Sequence, residues 1–172
     1  MTLQTQRLII RPYEPGDLDD FHEIFSDPVV MRHCEPPYDR AAAEKWLNHF
    51  IQEPIAFAVV IKETSKLIGH ALFKQLPGEE TGIYEIGWIY NRRYWRQGYA
   101  YEAAKALMDH GFTALHLHKI CAETIDPAAS VPLMKKLGMR EEGIFRQHTL
   151  GPDGAWADLY WYAALGSEWL KG

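Results

Sequence analysis

The chain has 172 residues, 47% of them hydrophobic, enough to bury a core of its own, and a single domain over residues 1–172 is expected. A net charge of −5 argues against a general nucleic-acid binder, and the absence of any apolar run of spanning length argues against a membrane protein. Cys34 and Cys121, the two cysteines, lie far apart without a CxxC partner, and Met1 to Arg7 lacks a basic-then-apolar leader. No zinc site, disulfide framework or secretion signal follows from these patterns, and a cytoplasmic location is expected.

Arg7 to Arg11, closed by Pro12, reads as a first strand. Gly16-Asp17 offers an N-cap to a helix carrying Leu18, Phe21, Ile24 and Phe25, which Asp27-Pro28 should end. Met31 to Tyr38 reads as a loop. Asp39 then caps a second helix, with Ala43, Trp46, Leu47, Phe50 and Ile51 at helical spacing. Ile55 to Ile61 and Lys66 to Phe73 are apolar runs about a polar Lys62 to Ser65, the pattern of an antiparallel hairpin, and a polar connection from Gln75 to Gly82 follows.

Tyr84 to Tyr90 alternates with period two, Tyr84, Ile86, Trp88 and Tyr90 on one face and Glu85, Gly87 and Ile89 on the other. After the basic turn Arg92 to Gly98 the period changes: Ala100, Ala103, Ala104, Leu107, Met108, Gly111 and Phe112 follow helical spacing, so a long helix starts near Gly98. Strand, basic turn and helix N-terminus form an anion-binding layout, because the first helical N–H groups lack intrahelical acceptors and glycine allows close approach. The pattern is neither Gly-x-Gly-x-x-Gly nor Gly-x-x-x-x-Gly-Lys-Ser/Thr.

Lys119 to Thr124 is a further strand. The helix after it can be capped by Asp126, with Pro127 at the first position, or by Ser130; Gly138 suits its C-terminal cap. Met139 to Thr149 and Ala155 to Ala164 flank Gly151-Pro152-Asp153-Gly154, a closing hairpin. The order predicts a mixed α/β fold, a sheet of about seven strands with four helices around it. His116 and His118 alternate onto one strand face, but no carboxylate or cysteine completes a ligand set, so no metal is expected. His148 is a minor acid/base candidate on a late strand.

This order and its central residues resemble the GNAT superfamily of acyl-CoA-dependent N-acyltransferases, in particular the Rim-type branch that acetylates ribosomal-protein N-termini. The resemblance covers nearly the whole chain. It is carried by Thr5-Gln6-Arg7-Leu8-Ile9-Ile10-Arg11-Pro12, Ser26-Asp27-Pro28-Val29-Val30, Glu85-Ile86-Gly87-Trp88, Tyr94-Trp95-Arg96-Gln97-Gly98-Tyr99-Ala100, Lys136-Leu137-Gly138-Met139 and Glu141-Glu142-Gly143. It implies a mostly antiparallel sheet with acetyl-CoA in a V-shaped split between two central strands. The pantetheine would pair with backbone near Trp88, Ile89 and Tyr90; the pyrophosphate would rest on the turn Trp95, Arg96, Gln97, Gly98, Tyr99 and Ala100. Three positions depart from the superfamily pattern. Trp95 stands where Gln or Arg is usual, although the Rim branch often has Trp there; Pro127 replaces an Asn; and Met134 replaces the general-acid tyrosine of many members, which excludes that acid here.

Acetyl transfer needs a neutral amine, a stabilised oxyanion and a proton for the departing thiolate. Deprotonating an α-amine at pH 7 costs about 1 kcal/mol and a lysine amine about 4.6 kcal/mol, so weak base assistance suffices for an N-terminus. Glu85, on the central strand in an apolar setting that would raise its pKa, is the candidate base, directly or through water, or else an orienting carboxylate. Ser130 can hold a water or hydrogen-bond the departing sulfur, or simply cap its helix. The expected partners are acetyl-CoA and an amine acceptor, possibly a protein N-terminus. A small-molecule amine and a non-catalytic acyl-CoA-binding module are the alternatives, in a monomer or a homodimer.

Overall fold

The computed structural model describes residues 1–76 and 82–171; most of the connection expected from Gln75 to Gly82 therefore lies outside the described residues. The strands are β1 (Leu3–Gln4), β2 (Leu8–Arg11), β3 (Ala56–Ile61), β4 (Leu67–Gln75), β5 (Ile83–Tyr90), β6 (Lys119–Thr124), β7 (Arg140–Leu150) and β8 (Trp156–Leu165). The helices are α1 (Leu18–Phe25), α2 (Pro28–Met31), α3 (Arg40–Gln52), α4 (Tyr99–Thr113), α5 (Pro127–Lys136) and α6 (Gly166–Trp169). One eight-stranded sheet runs β1-β2-β3-β4-β5-β6-β8-β7. All its pairings are antiparallel except β5 with β6, where α4 makes the crossover. The expected fold class is observed, with one strand and two helices more than the pattern indicated; β1 has only two residues and α2 and α6 four each, too short for any periodicity.

The period-two alternation sorts side chains onto the two faces of the sheet. On one face Ile86 and Tyr90 of β5, Ile120 and Ala122 of β6 and Phe73 of β4 pack against Leu107, Met108 and Phe112 of α4 and Met134 of α5. On the other, Ala56, Ala58 and Val60 of β3 and Leu67 of β4 pack against Phe21, Ile24 and Phe25 of α1 and Leu47 of α3. Phe21 and Ile24 are fully buried, each contributing about 1.5–3 kcal/mol of apolar transfer. Ile68 is an extra residue in β4, since Val59 pairs with Gly69 and Val60 with Leu67. This bulge switches the facing of the rest of β4 and turns His70 toward the α1 side. Gly69 accommodates it: a Cβ there would lie 2.4 Å from the Tyr90 ring.

Local capping follows the sequence in part. Asp39 Oδ1 accepts the Ala42 amide at 2.7 Å, and Asp126, not Ser130, caps α5 with Pro127 at its first position. Two expectations are corrected. Asp17 stands at the N-cap position of α1, but its side chain makes no bond to that helix: 7% exposed, it is held by a bidentate ion pair to Arg11, both distances 2.8 Å, and accepts the Glu14 amide at 2.9 Å across a single 3-10 turn over Pro15–Asp17. His116 and His118 are not on a strand; β6 begins at Lys119, and His116 has φ of 52° in the turn before it.

Candidate active site

The turn between β5 and α4 is built from local contacts. The Asn91 side chain accepts the Arg93 amide and opens a 3-10 turn over Arg92–Tyr94. Trp95 then folds back, its indole N–H donating to the Tyr90 carbonyl at 2.7 Å, and Gln97 Nε2 donates to the Arg93 carbonyl at 2.9 Å. Arg96 and Gly98 both have positive φ, 58° and 83°, and Gly98 is the N-cap of α4. Left-handed residues spaced this way curl the backbone into a concavity that gathers N–H groups. Among the described residues, the amides of Arg96, Gln97, Gly98, Tyr99, Ala100 and Tyr101 find no acceptor. Unpaired amides at a positive helix terminus favour an anion. Two of the turn's three arginines are tied elsewhere, Arg92 to Asp27 at 2.8 Å and Arg93 to Glu23 at 3.2 Å.

The turn is buttressed from residues nearly a hundred positions away. Glu102, in the first turn of α4, accepts from Thr5 Oγ1 at 2.6 Å, the Arg7 amide at 2.8 Å and Arg7 Nε at 2.7 Å. Arg7 Nη1 reaches the Gln97 carbonyl at 3.1 Å, and its guanidinium lies 4.2 Å from the centre of the Tyr99 ring. Burial works to raise the Glu102 carboxyl, but the bonds from Thr5 and Arg7 outweigh it and hold the group below its ordinary value.

Beside the turn the sheet splits. β5 and β6 pair only at Ile83–Lys119, Tyr84–Ile120 and Glu85–Cys121, so from Ile86 onward β5 has an unpaired edge facing the gap. Trp88 and Ile89 lie on that edge; the Tyr90 carbonyl already accepts from Trp95. On the α1–α3 face, below the split, is a cavity of about 390 Å³ lined by aromatic rings, including Tyr38 and Trp46, and by the carboxylates of Glu35, Glu85 and Glu123. Glu85 is 17% exposed, with Lys74, its cross-strand neighbour, 3.4 Å away. Partial burial, then the Glu85 charge, raise the Glu123 carboxyl above its ordinary value, while Lys74 and His148 draw it back. A ring of acidic groups with aromatic walls suits a cationic amine.

His70 closes the cavity from β4. It is 6% exposed, enclosed by Tyr13, Phe25 and Phe50, and burial pushes its imidazole down to about 4, so it is neutral at pH 7. The Tyr13 hydroxyl lies 2.9 Å from its Nδ1.

The structure brings Glu85 to the cavity and Trp95, Arg96, Gln97, Gly98, Tyr99 and Ala100 into one turn. It does not bring Ser130 to the cavity: that serine is half-buried on α5, which packs on the opposite face of the sheet. Met134 is buried in the core, 1% exposed. Among the described residues no group of three or more His, Cys, Asp or Glu is placed to hold a metal ion. Sequence reasoning missed Glu123, Trp46 and His70 as cavity residues. Glu123 had a local signal, since in a parallel pairing it follows the partner of Glu85 by two residues and shares its face; His70 had none, because its facing depends on the bulge.

A sequence profile of the acetyltransferase (GNAT) domain matches residues 7–140. The uncharacterized N-acetyltransferase YnaD of Bacillus subtilis (strain 168) is 38% identical over 173 residues, spanning 98% of this chain and 99% of that protein. The spermidine N(1)-acetyltransferase of Escherichia coli (strain K12) is 27% identical over 148 residues, spanning 78% of this chain and 73% of that one. The crystal structure of an acetyltransferase (GNAT family) from Bacillus anthracis superposes with a TM-score of 0.91 at 34% identity, over 97% of this chain and 99% of that chain.

Proposed function

The chain belongs to the GNAT family of acetyl-CoA-dependent N-acetyltransferases, and we propose that its acceptor is a protein N-terminal α-amine, as in the Rim-type branch, acetylated by direct attack. In this reading the acetyl-CoA pyrophosphate rests on the amides of Arg96 to Ala100. The pantetheine follows the unpaired edge of β5 at Trp88 and Ile89, and the thioester reaches the floor of the split near Glu85. The amine enters from the carboxylate-lined cavity on the other face. Its nitrogen attacks the thioester carbonyl carbon, Glu85 takes the amine proton directly or through water, and the carbon–sulfur bond breaks to leave the thiolate, which is then protonated. In this reading Ser130, on the α5 side of the sheet, hydrogen-bonds the departing sulfur.

The observation that carries this reading is the three-pair junction of β5 with β6, which sets unpaired amides at one end of a gap and a carboxylate-lined cavity at the other. A second reading has its own support. Three carboxylates among aromatic rings also suit a polycation, and a relative named as a spermidine acetyltransferase is 27% identical. Acetyl-CoA turnover with a panel of free-N-terminus peptides and polyamines separates them: transfer to spermidine without transfer to any peptide refutes the N-terminal acceptor.

A further inference from the structure

We propose that His70 presents an Nε2–H donor to the acceptor cavity and selects amines that carry a carbonyl oxygen a few bonds from the reacting nitrogen. This deepens, and rests on, the acceptor reading above.

The assignment follows from accounting for donors. Tyr13 is 4% exposed, and among the described residues its hydroxyl has one partner, His70 Nδ1, at 2.9 Å. A buried phenol proton left without an acceptor is costly, so the hydroxyl donates and Nδ1 accepts. A neutral imidazole carries one proton, which must then sit on Nε2. Tyr13 lies behind the cavity and does not line it, whereas His70 does. No fully enclosed side-chain nitrogen or oxygen lacks a partner among the described residues, so Nε2, which has none there, is open to the cavity. The rings of Phe25 and Phe50 pack against the imidazole and fix its plane.

The cavity therefore has two chemically opposite ends. His70 is paired with Ile89 on β5, and Glu85 lies four residues back along the same strand, about 13 Å at strand rise. Both residues line the same cavity, so an acceptor whose amine lies at Glu85 runs through its first peptide units before a carbonyl meets His70. A free N-terminus fits, with its ammonium among carboxylates and its carbonyl on His70. A protonated polyamine offers only donors, and at the His70 end donor would face donor.

The test uses the full chain with acetyl-CoA, and two acceptors of similar length: a tripeptide with a free N-terminus and a linear diamine. In His70→Phe the ratio of kcat/KM for tripeptide over diamine falls about ten- to hundredfold, and His70→Gln, which keeps an N–H near Nε2, recovers part of that ratio. Equal proportional loss with both acceptors, or an unchanged ratio, overturns the proposal and leaves His70 a packing residue. Nitrogen-15 spectra of the histidine rings check the tautomer, with Nε2–H expected and Nδ1–H refuting. Should the wild type acetylate neither acceptor, the acceptor reading itself fails. The same spectra still decide the role of His70, because tripeptide, and not diamine, must shift its Nε2–H signal.

Discussion

Replacing Gly98 by valine tests the anion-binding turn at its most constrained point. Gly98 has φ of 83° and ψ of 0°, a conformation that costs an L-residue roughly 1–2 kcal/mol and a β-branched one more. Space adds little for the first carbon, since a Cβ would lie 3.4 Å from Arg7 Nη2, but the branch methyls of valine extend toward that guanidinium. Relief comes from rotating φ to negative values, which re-aims the amides around Gly98 away from their common concavity. Each charge-assisted bond lost to a phosphate is worth about 1.5–3 kcal/mol, so losing one raises the Kd for acetyl-CoA about ten- to a hundredfold and losing two raises it further. The strain lowers Tm by about 2–8 °C. Calorimetric titration with acetyl-CoA, using desulfo-CoA and adenosine as controls, reads the first effect and a thermal melt reads the second. Gly98→Ala isolates the backbone term from the contact with Arg7. A folded Gly98→Val protein that binds acetyl-CoA with wild-type affinity refutes the placement of the pyrophosphate on this turn.

Three further outcomes are expected. Glu85→Gln lowers kcat by about a hundredfold or more while the Kd for acetyl-CoA stays within about twofold, and it changes the pH–rate profile to that of amine ionisation alone; an unaltered profile eliminates Glu85 as the base. Glu102→Gln destabilises the fold by about 2 kcal/mol at pH 7, because three donors from Thr5 and Arg7 lose a carboxylate. The folded Glu102 carboxyl sits below its ordinary value of 4.5, so its contribution is present above that value and lost as pH falls through the lower folded one. Denaturant curves of wild type and variant should therefore converge in acid and not in base. Asp39→Ala removes the cap on Ala42, costs about 1 kcal/mol and lowers Tm by about 2–4 °C, with no change in acetyl-CoA affinity.

What could be read from the chain was whatever short-range periodicity and local turn chemistry determine. The β3–β4 hairpin, the strand of Glu85, the helix starting at Gly98, the Asp39 cap and the closing β7–β8 hairpin each declare themselves within one contiguous stretch of chain, and all are present. Asp17 holds the expected N-cap position of α1, but its side chain turns away from that helix, to Arg11 on the adjacent strand and to the Glu14 amide. Asp27-Pro28 was read as a stop and is also a start, the aspartate accepting from Val29 to cap the single turn of α2. The cavity was less legible than the turn because it is assembled by register. Glu35 and Trp46 come from segments far from β5, and one inserted residue at Ile68 decides which way His70 faces.

The gap beside β5 also bears on self-association. A strand edge without a partner is a template for another chain, and proteins blunt such edges with shortness, charge or proline. The two outer edges of this sheet are protected in that way: β1 has two residues, and β7 carries Arg140, Glu141, Glu142 and Arg146. The inner edge, Ile86-Gly87-Trp88-Ile89-Tyr90, carries no charge and no proline, and beyond the Glu85–Cys121 pair it has no ladder with β6. Any excursion that widens the split exposes an apolar, hydrogen-bond-hungry ribbon, so aggregation during expression and storage should begin there. A molecule that fills the gap then acts as a chaperone for its own binding site.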